Sequence, residues 1–148
     1  MKRAFVMLGC PGSGKSTWVK SQGIPGISRD DIRIELGYCK EGEKFLGDKA
    51  QEDKVTELHE KRLAELSDAG ANFALDNTNV NPYFRKPLLK KLRELGYHVI
   101  GVKMCTSLET CLSRRASQIP EEVVKRMYKQ MDTIDPTEFD EFIEAPGE

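Results

Sequence analysis

The sequence predicts an α/β fold in which a parallel sheet is flanked by helices. Three observations predict it. Short apolar runs alternate with amphipathic helical stretches along the whole chain. A glycine-rich turn joins the first apolar run to the first helix. The 148 residues, 39% of them apolar, suffice for one domain with a core on both faces of a sheet.

Arg3–Leu8 reads as a buried first strand. A helix over Lys15–Ser21 follows the glycine-rich turn and is broken by Gly23-Ile24-Pro25-Gly26. Gly26-Ile27-Ser28 is a second, short strand. Ser28 caps a helix over Asp31–Leu36, with Asp31 in a capping-box-like pair and Gly37 at the end. Lys49–Ala69 is a long helix whose Val55, Leu58, Leu63, Leu66 and Ala69 share one face. Phe73–Leu75 is a third strand. Asn81-Pro82 opens a helix with Phe84, Leu88, Leu92 and Leu95 as its apolar stripe, and Gly96 closes it. Tyr97–Met104 is the fourth strand. A short helix carries Leu108, Cys111 and Leu112, and Pro120 starts a last one with Val123, Val124, Met127, Tyr128 and Met131 inward. The expected sheet is four-stranded and parallel, with its ligand beyond the carboxyl ends of the strands.

Net charge is -1, but seven acids and no base lie in an acidic tail, 130–148, which leaves +6 on residues 1–129. Such a body can attract a polyanion locally. No apolar run approaches the ~20 residues of a membrane span, and the apolar start is too short for a secretory signal. Cys10, Cys39, Cys105 and Cys111 lack CxxC spacing, which fits a reducing cytoplasm. The expectation is one domain over residues 1–148, cytoplasmic, away from membranes and without an obligate protein partner.

Gly9-Cys10-Pro11-Gly12-Ser13-Gly14-Lys15-Ser16 fits G-x-x-x-x-G-K-[ST] between a strand and a helix, as the motif requires. Glycines let the backbone curl until several N–H groups point at phosphate oxygens, and the helix beginning near Lys15 aims its positive end at the same anion. Gly9, Gly12, Ser13, Gly14, Lys15, Ser16 and Thr17 are therefore candidates for binding ATP. Lys15 would reach the β- and γ-phosphates and the Ser16 hydroxyl would hold Mg²⁺. No NKxD-type motif marks a GTPase switch, and an oligomeric AAA-type motor normally needs more chain. A small kinase-like phosphotransferase is the natural reading.

Two further clusters fall at strand ends. In Ser28-Arg29-Asp30-Asp31-Ile32-Arg33, Asp30 is placed to accept the proton of an attacking hydroxyl. Arg33, one turn on, can grip an anionic group of the acceptor. Capping and surface charge explain Asp30 and Arg33 equally well, and for Asp31 capping is preferred. In Asp76-Asn77-Thr78-Asn79-Val80-Asn81-Pro82, Asp76 closes an apolar strand and can hold Mg²⁺ through water, with the Asn/Thr run lining the cleft. The alternative there is a plain turn. Arg114 and Arg115 open a short lid, about 114–120, where a guanidinium can meet charge on a transferring phosphoryl or simply end a helix. His59, His98 and Trp18 read as packing residues. Arg85, Lys86, Lys90, Lys91 and Arg93 read as a solvated face that could also track a phosphate backbone.

Together with Ile119-Pro120-Glu121-Glu122-Val123-Val124-Lys125-Arg126-Met127-Tyr128, these blocks resemble, in order and spacing, the kinase domain of phage-type polynucleotide 5′-hydroxyl kinases. The resemblance implies an adenylate-kinase-like P-loop kinase fold with an active-site tunnel. ATP would enter one end and the 5′-OH end of DNA or RNA the other. It implies Asp30 as general base, Arg33 on the acceptor's 3′-side phosphate, Asp76 near the metal, and Arg114 or Arg115 as the lid arginine. Two departures stand out. The lid is short, with Gln118 one turn after Arg114, and no DxDGT-type motif follows the kinase region. The expectation is a stand-alone kinase, in the host cytoplasm if phage-encoded. The alternatives are a kinase acting on a nucleoside, a small metabolite or a hydroxymethylated base, and a nucleotide-binding module without catalysis.

Overall fold

The computed structural model of the chain describes residues 1–43, 45–115 and 119–148. In order, the elements are β1 (Arg3–Leu8), α1 (Lys15–Ser21), β2 (Gly26–Ile27), α2 (Arg29–Glu35), α3 (Lys49–Asp68), β3 (Phe73–Leu75), α4 (Pro82–Glu94), β4 (His98–Cys105), α5 (Leu108–Arg115), α6 (Glu121–Gln130) and β5 (Glu141–Pro146). Two 3-10 turns, Met131–Thr133 and Pro136–Glu138, lead into β5. The strand order is β2-β3-β1-β4-β5, and every pairing is parallel.

The α/β architecture is the expected one, but the sheet has five strands, not four. The fifth comes from the acidic tail, where Glu141 and Glu144 hide a short alternation. Phe142 packs into the core on one face of the sheet, and Ile143 and Ala145 on the other. As an edge strand β5 needs only one ladder, to β4, and its charged residues guard the open side. Where β4 meets this region, Gly101 lets the Phe139 ring approach; a Cβ there would stand 2.8 Å from it.

Period-two alternation sorts the core. Ala4, Val6 and Leu8 of β1, Phe73 and Leu75 of β3 and Val99 of β4 face α3 and α4. Met7, Ala74, Ile100, Val102 and Met104 face the other way, toward Val19 of α1. Each large side chain fully buried this way contributes about 1.5–3 kcal/mol.

One helix is phased differently from its expected stripe. Phe84 of α4 is 69% exposed, whereas Arg85, placed above on the solvated face, is 1% exposed and shares the inner face with Leu89 and Leu92. Burial of a guanidinium requires partners for its donors. Arg85 has them: its Nε donates to Glu138 Oε1 (3.1 Å), its Nη1 to Val80 O (2.9 Å), and its Nη2 to Glu138 Oε2 and Thr133 O (both 3.3 Å). The tail and the loop before α4 are thus tied to one buried cation.

Candidate active site

β1 ends at Leu8, and the next six residues turn the chain into α1. Gly12 (φ 85°) and Gly14 (φ 97°) hold left-handed backbone that other side chains resist. Gly9 has no room for a Cβ, which would fall 2.3 Å from Ser13 Oγ. The Lys15 ammonium arches back to donate to Gly9 O (3.0 Å) and Cys10 O (3.1 Å). Ser16 Oγ donates to Asp76 Oδ2 (2.8 Å), which joins α1 to the end of β3. Asp76 is buried, and burial raises its carboxyl above the ordinary carboxylate range against the opposing pull of Ser16 and Lys15.

A cleft of about 1100 Å³ opens over this loop. Gly12, Gly14, Lys15, Ser16 and Thr17 line it, as do Asp30, Arg33 and Asp76. Gly9 and Ser13 lie beneath: the Gly9 N–H donates to Thr78 O and the Ser13 N–H to Cys10 O, both at 3.2 Å. These two shape the cradle without turning their amides into it. Cys10 packs under the loop against Cys111 and Val124. Burial, and then the neighbouring Cys10, push the Cys111 thiol up to about 12, so Cys111 is a packing group.

Asp30 and Arg33 line the same cleft from α2. The Ser28 hydroxyl accepts from the Asp31 N–H (3.3 Å), as expected, although α2 begins two residues sooner, at Arg29. Asp30 is exposed and accepts at Oδ1 from Arg33 Nη1 (2.7 Å). Asp31 keeps the capping role expected for it, and partial burial, then Asp76 and Asp30, raise its carboxyl. Asn77 fixes the start of α2: its Oδ1 accepts from the Arg29 N–H (2.9 Å), and its amide lies 3.0 Å from His59 Nε2. Burial, and then the Arg29 charge, lower His59 to about 4, so the ring is neutral and accepts from Asn77. Asn79 turns inward at φ 51° and donates to Met7 O (2.8 Å), so only part of the Asn/Thr run lines the cleft.

Arg114 Nη1 donates to Gly12 O (3.0 Å), which brings this arginine onto the phosphate loop. The Arg115 side chain and residues 116–118 of the expected lid lie outside the described residues. Among the described residues no cluster of three His, Cys, Asp or Glu gathers as a metal site. None of the described helices is long and apolar enough to cross a membrane.

Three contributors were not visible in the sequence. Glu52 of α3 accepts hydrogen bonds from both Arg29 and Arg33. Phe45 places its ring 4.9 Å from the Arg33 guanidinium carbon. Gly147, just past β5, is wedged on the loop: a Cβ there would lie 1.8 Å from Thr106 Oγ1 and 2.2 Å from Ser13 O. No local pattern announces any of them, because each acts on residues distant in sequence.

The chain belongs to the AAA domain family AAA_33, which matches residues 5–134. Two curated relatives are kinases by name. It is 30% identical over 152 residues to a protein of Autographa californica nuclear polyhedrosis virus named as a bifunctional polynucleotide kinase/RNA ligase, covering 93% of this chain and 22% of that one. It is 25% identical over 133 residues to the L-seryl-tRNA(Sec) kinase of Methanococcus maripaludis, covering 87% of this chain and 52% of that one. The chain therefore spans between about a fifth and a half of these curated relatives. A chain in the structure of the Pnkp1/Rnl/Hen1 RNA repair complex superposes with a TM-score of 0.77 at 19% identity, over 90% of this chain and 46% of that one, which shows a shared fold.

Proposed function

We propose that residues 1–148 act as one ATP-dependent polynucleotide kinase domain, which transfers the γ-phosphoryl of ATP to a 5′-hydroxyl of DNA or RNA. One observation carries the reading: a single cleft joins the phosphate loop to the Asp30–Arg33 pair, so that donor and acceptor can meet in line. The viral relative named as a polynucleotide kinase/RNA ligase supports the same class.

The roles follow from chemistry. The loop amides and Lys15 hold the β- and γ-phosphates. Ser16 and Asp76, an adjacent hydroxyl and carboxylate, fit a hard cation that keeps most of its waters, and would hold Mg²⁺. When bound, Mg²⁺ neutralises charge on the phosphates. Asp30 accepts the proton of the attacking hydroxyl. Arg33 holds an acceptor phosphate. Arg114, already against the loop, meets charge on the transferring group.

A second reading has an observation in its favour. Arg33 is already balanced by Glu52 and Asp30, an arrangement that also suits an uncharged acceptor such as a nucleoside or small metabolite. The deciding experiment offers γ-labelled ATP and Mg²⁺ to 5′-OH and 5′-phosphate oligonucleotides of DNA and RNA, beside a nucleoside panel. Label on 5′-OH oligonucleotides alone is the expected result. Label on nucleosides, with oligonucleotides unmarked, sinks the polynucleotide reading.

A further inference from the structure

The acceptor end contains a carboxylate to which the reading above gives no task. Glu52 stands in the first turn of α3, and both its oxygens are occupied by arginines of α2. Its Oε1 accepts from Arg29 Nη2 (2.6 Å), Arg29 Nε (3.2 Å) and Arg33 Nη2 (2.6 Å); its Oε2 accepts from Arg33 Nε (3.2 Å). Arg29 also donates to Thr56 Oγ1 (2.8 Å), one turn further along α3. Burial works to raise the Glu52 carboxyl, but the hydrogen bonds from Arg33 and Arg29 outweigh it and hold the group ionised. Two like charges four residues apart on a helix repel. Glu52 turns that repulsion into a shared bond, and the Phe45 ring covers Arg33 as well.

This arrangement controls how Arg33 meets Asp30. A guanidinium prefers to fork two parallel N–H bonds onto a carboxylate. With Nε and Nη2 committed to Glu52, only Nη1 reaches Asp30, and it touches only Oδ1. Asp30 Oδ2 is left outside that ion pair.

We propose that Glu52 is a positioning residue for phosphoryl transfer: it holds Arg33 end-on to Asp30, so that one carboxylate oxygen remains open to the acceptor hydroxyl. Without Glu52, Arg33 forks onto Asp30 and blocks the proton acceptor, while Arg29 swings away. The inference rests on Asp30 being the general base.

The test is a double-mutant cycle on the full chain with ATP and a 5′-OH oligonucleotide, repeated with a nucleoside. Glu52→Ala is expected to lower kcat at least about tenfold, since small misplacements of reacting groups can cost up to about a hundredfold. KM for ATP should remain within about twofold, because the phosphate loop does not touch Glu52. Glu52→Gln, nearly isosteric, should fall with it, because its amide faces Arg33 donors. In an Arg33→Ala background, Glu52→Ala should cost nothing further. A normal kcat in both Glu52 variants, losses that multiply in the double variant, or an equal rise in KM for ATP each overturn the proposal. Melting curves identify a variant that fails to fold, in which case Glu52→Gln carries the test. An active wild type with unaffected Glu52 variants overturns this inference alone; a wild type inert toward both acceptors overturns the kinase reading and takes this inference with it.

Discussion

At the donor end of the cleft, eight consecutive residues, Gly9–Ser16, form the cradle, largely from backbone held by glycines. At the end proposed for the acceptor, Arg29 and Arg33 of α2 and Glu52 of α3 meet across about twenty residues of intervening chain, held by side-chain ion pairs. The first is stiff and local. The second depends on how two helices sit, and on charges that a bound acceptor can redistribute. A nucleotide cradle needs one fixed geometry, whereas the proposed acceptor site would have to exchange internal partners for a substrate.

The largest expected effect sharpens that contrast. Asp30→Ala should lower phosphoryl transfer by about 10²–10⁴-fold, the usual worth of a general base, and leave ATP binding intact. Parallel loss of nucleotide affinity by fluorescence titration would break the separation between the two ends. Next comes stability. Arg85→Met strands the Glu138 carboxylate, 15% exposed, without its cation, and should cost about 3–5 kcal/mol in denaturant unfolding. Arg114→Ala should reduce kcat by about 10²–10³-fold with little change in the acceptor KM; an effect confined to the acceptor KM would move Arg114 to the other end of the site. The smallest effect is pH-linked. Unfolded His59 protonates near 6.5, but in the fold it resists protonation down to about 4. The stability that depends on neutral His59 is present above pH 6.5 and is lost as pH falls through 4. His59→Gln should flatten the fall in melting temperature over that interval.

Most of the fold was legible because its signals are periodic. The first four strands, Ser28 as a cap, and Asn81-Pro82 as a helix start all follow from local pattern. β5 was not, because an edge strand with glutamates at two of six positions reads as a charged tail until β4 supplies its ladder. Arg85 was misread for a related reason. Composition places arginine on the surface, and only the partners gathered from residues 79–80 and 133–138 make its burial affordable. In the site, the phosphate loop could be read as a unit. The Ser16–Asp76 bond could be expected from strand-end logic, whereas Glu52 and Gly147 could not, since their neighbours are set by packing alone.

Placing Gly147 on the phosphate loop also imposes an order on synthesis. Residues 141–148 leave the ribosome after everything else described around the cleft, yet β5 closes the sheet's edge and the following turn supports Ser13 and Gly14. A nascent chain halted before this stretch carries the whole signature sequence without the wall that braces it. The support under the loop is thereby made only once translation has passed Gly147, so a product cut before Glu141 keeps the motif but lacks its brace.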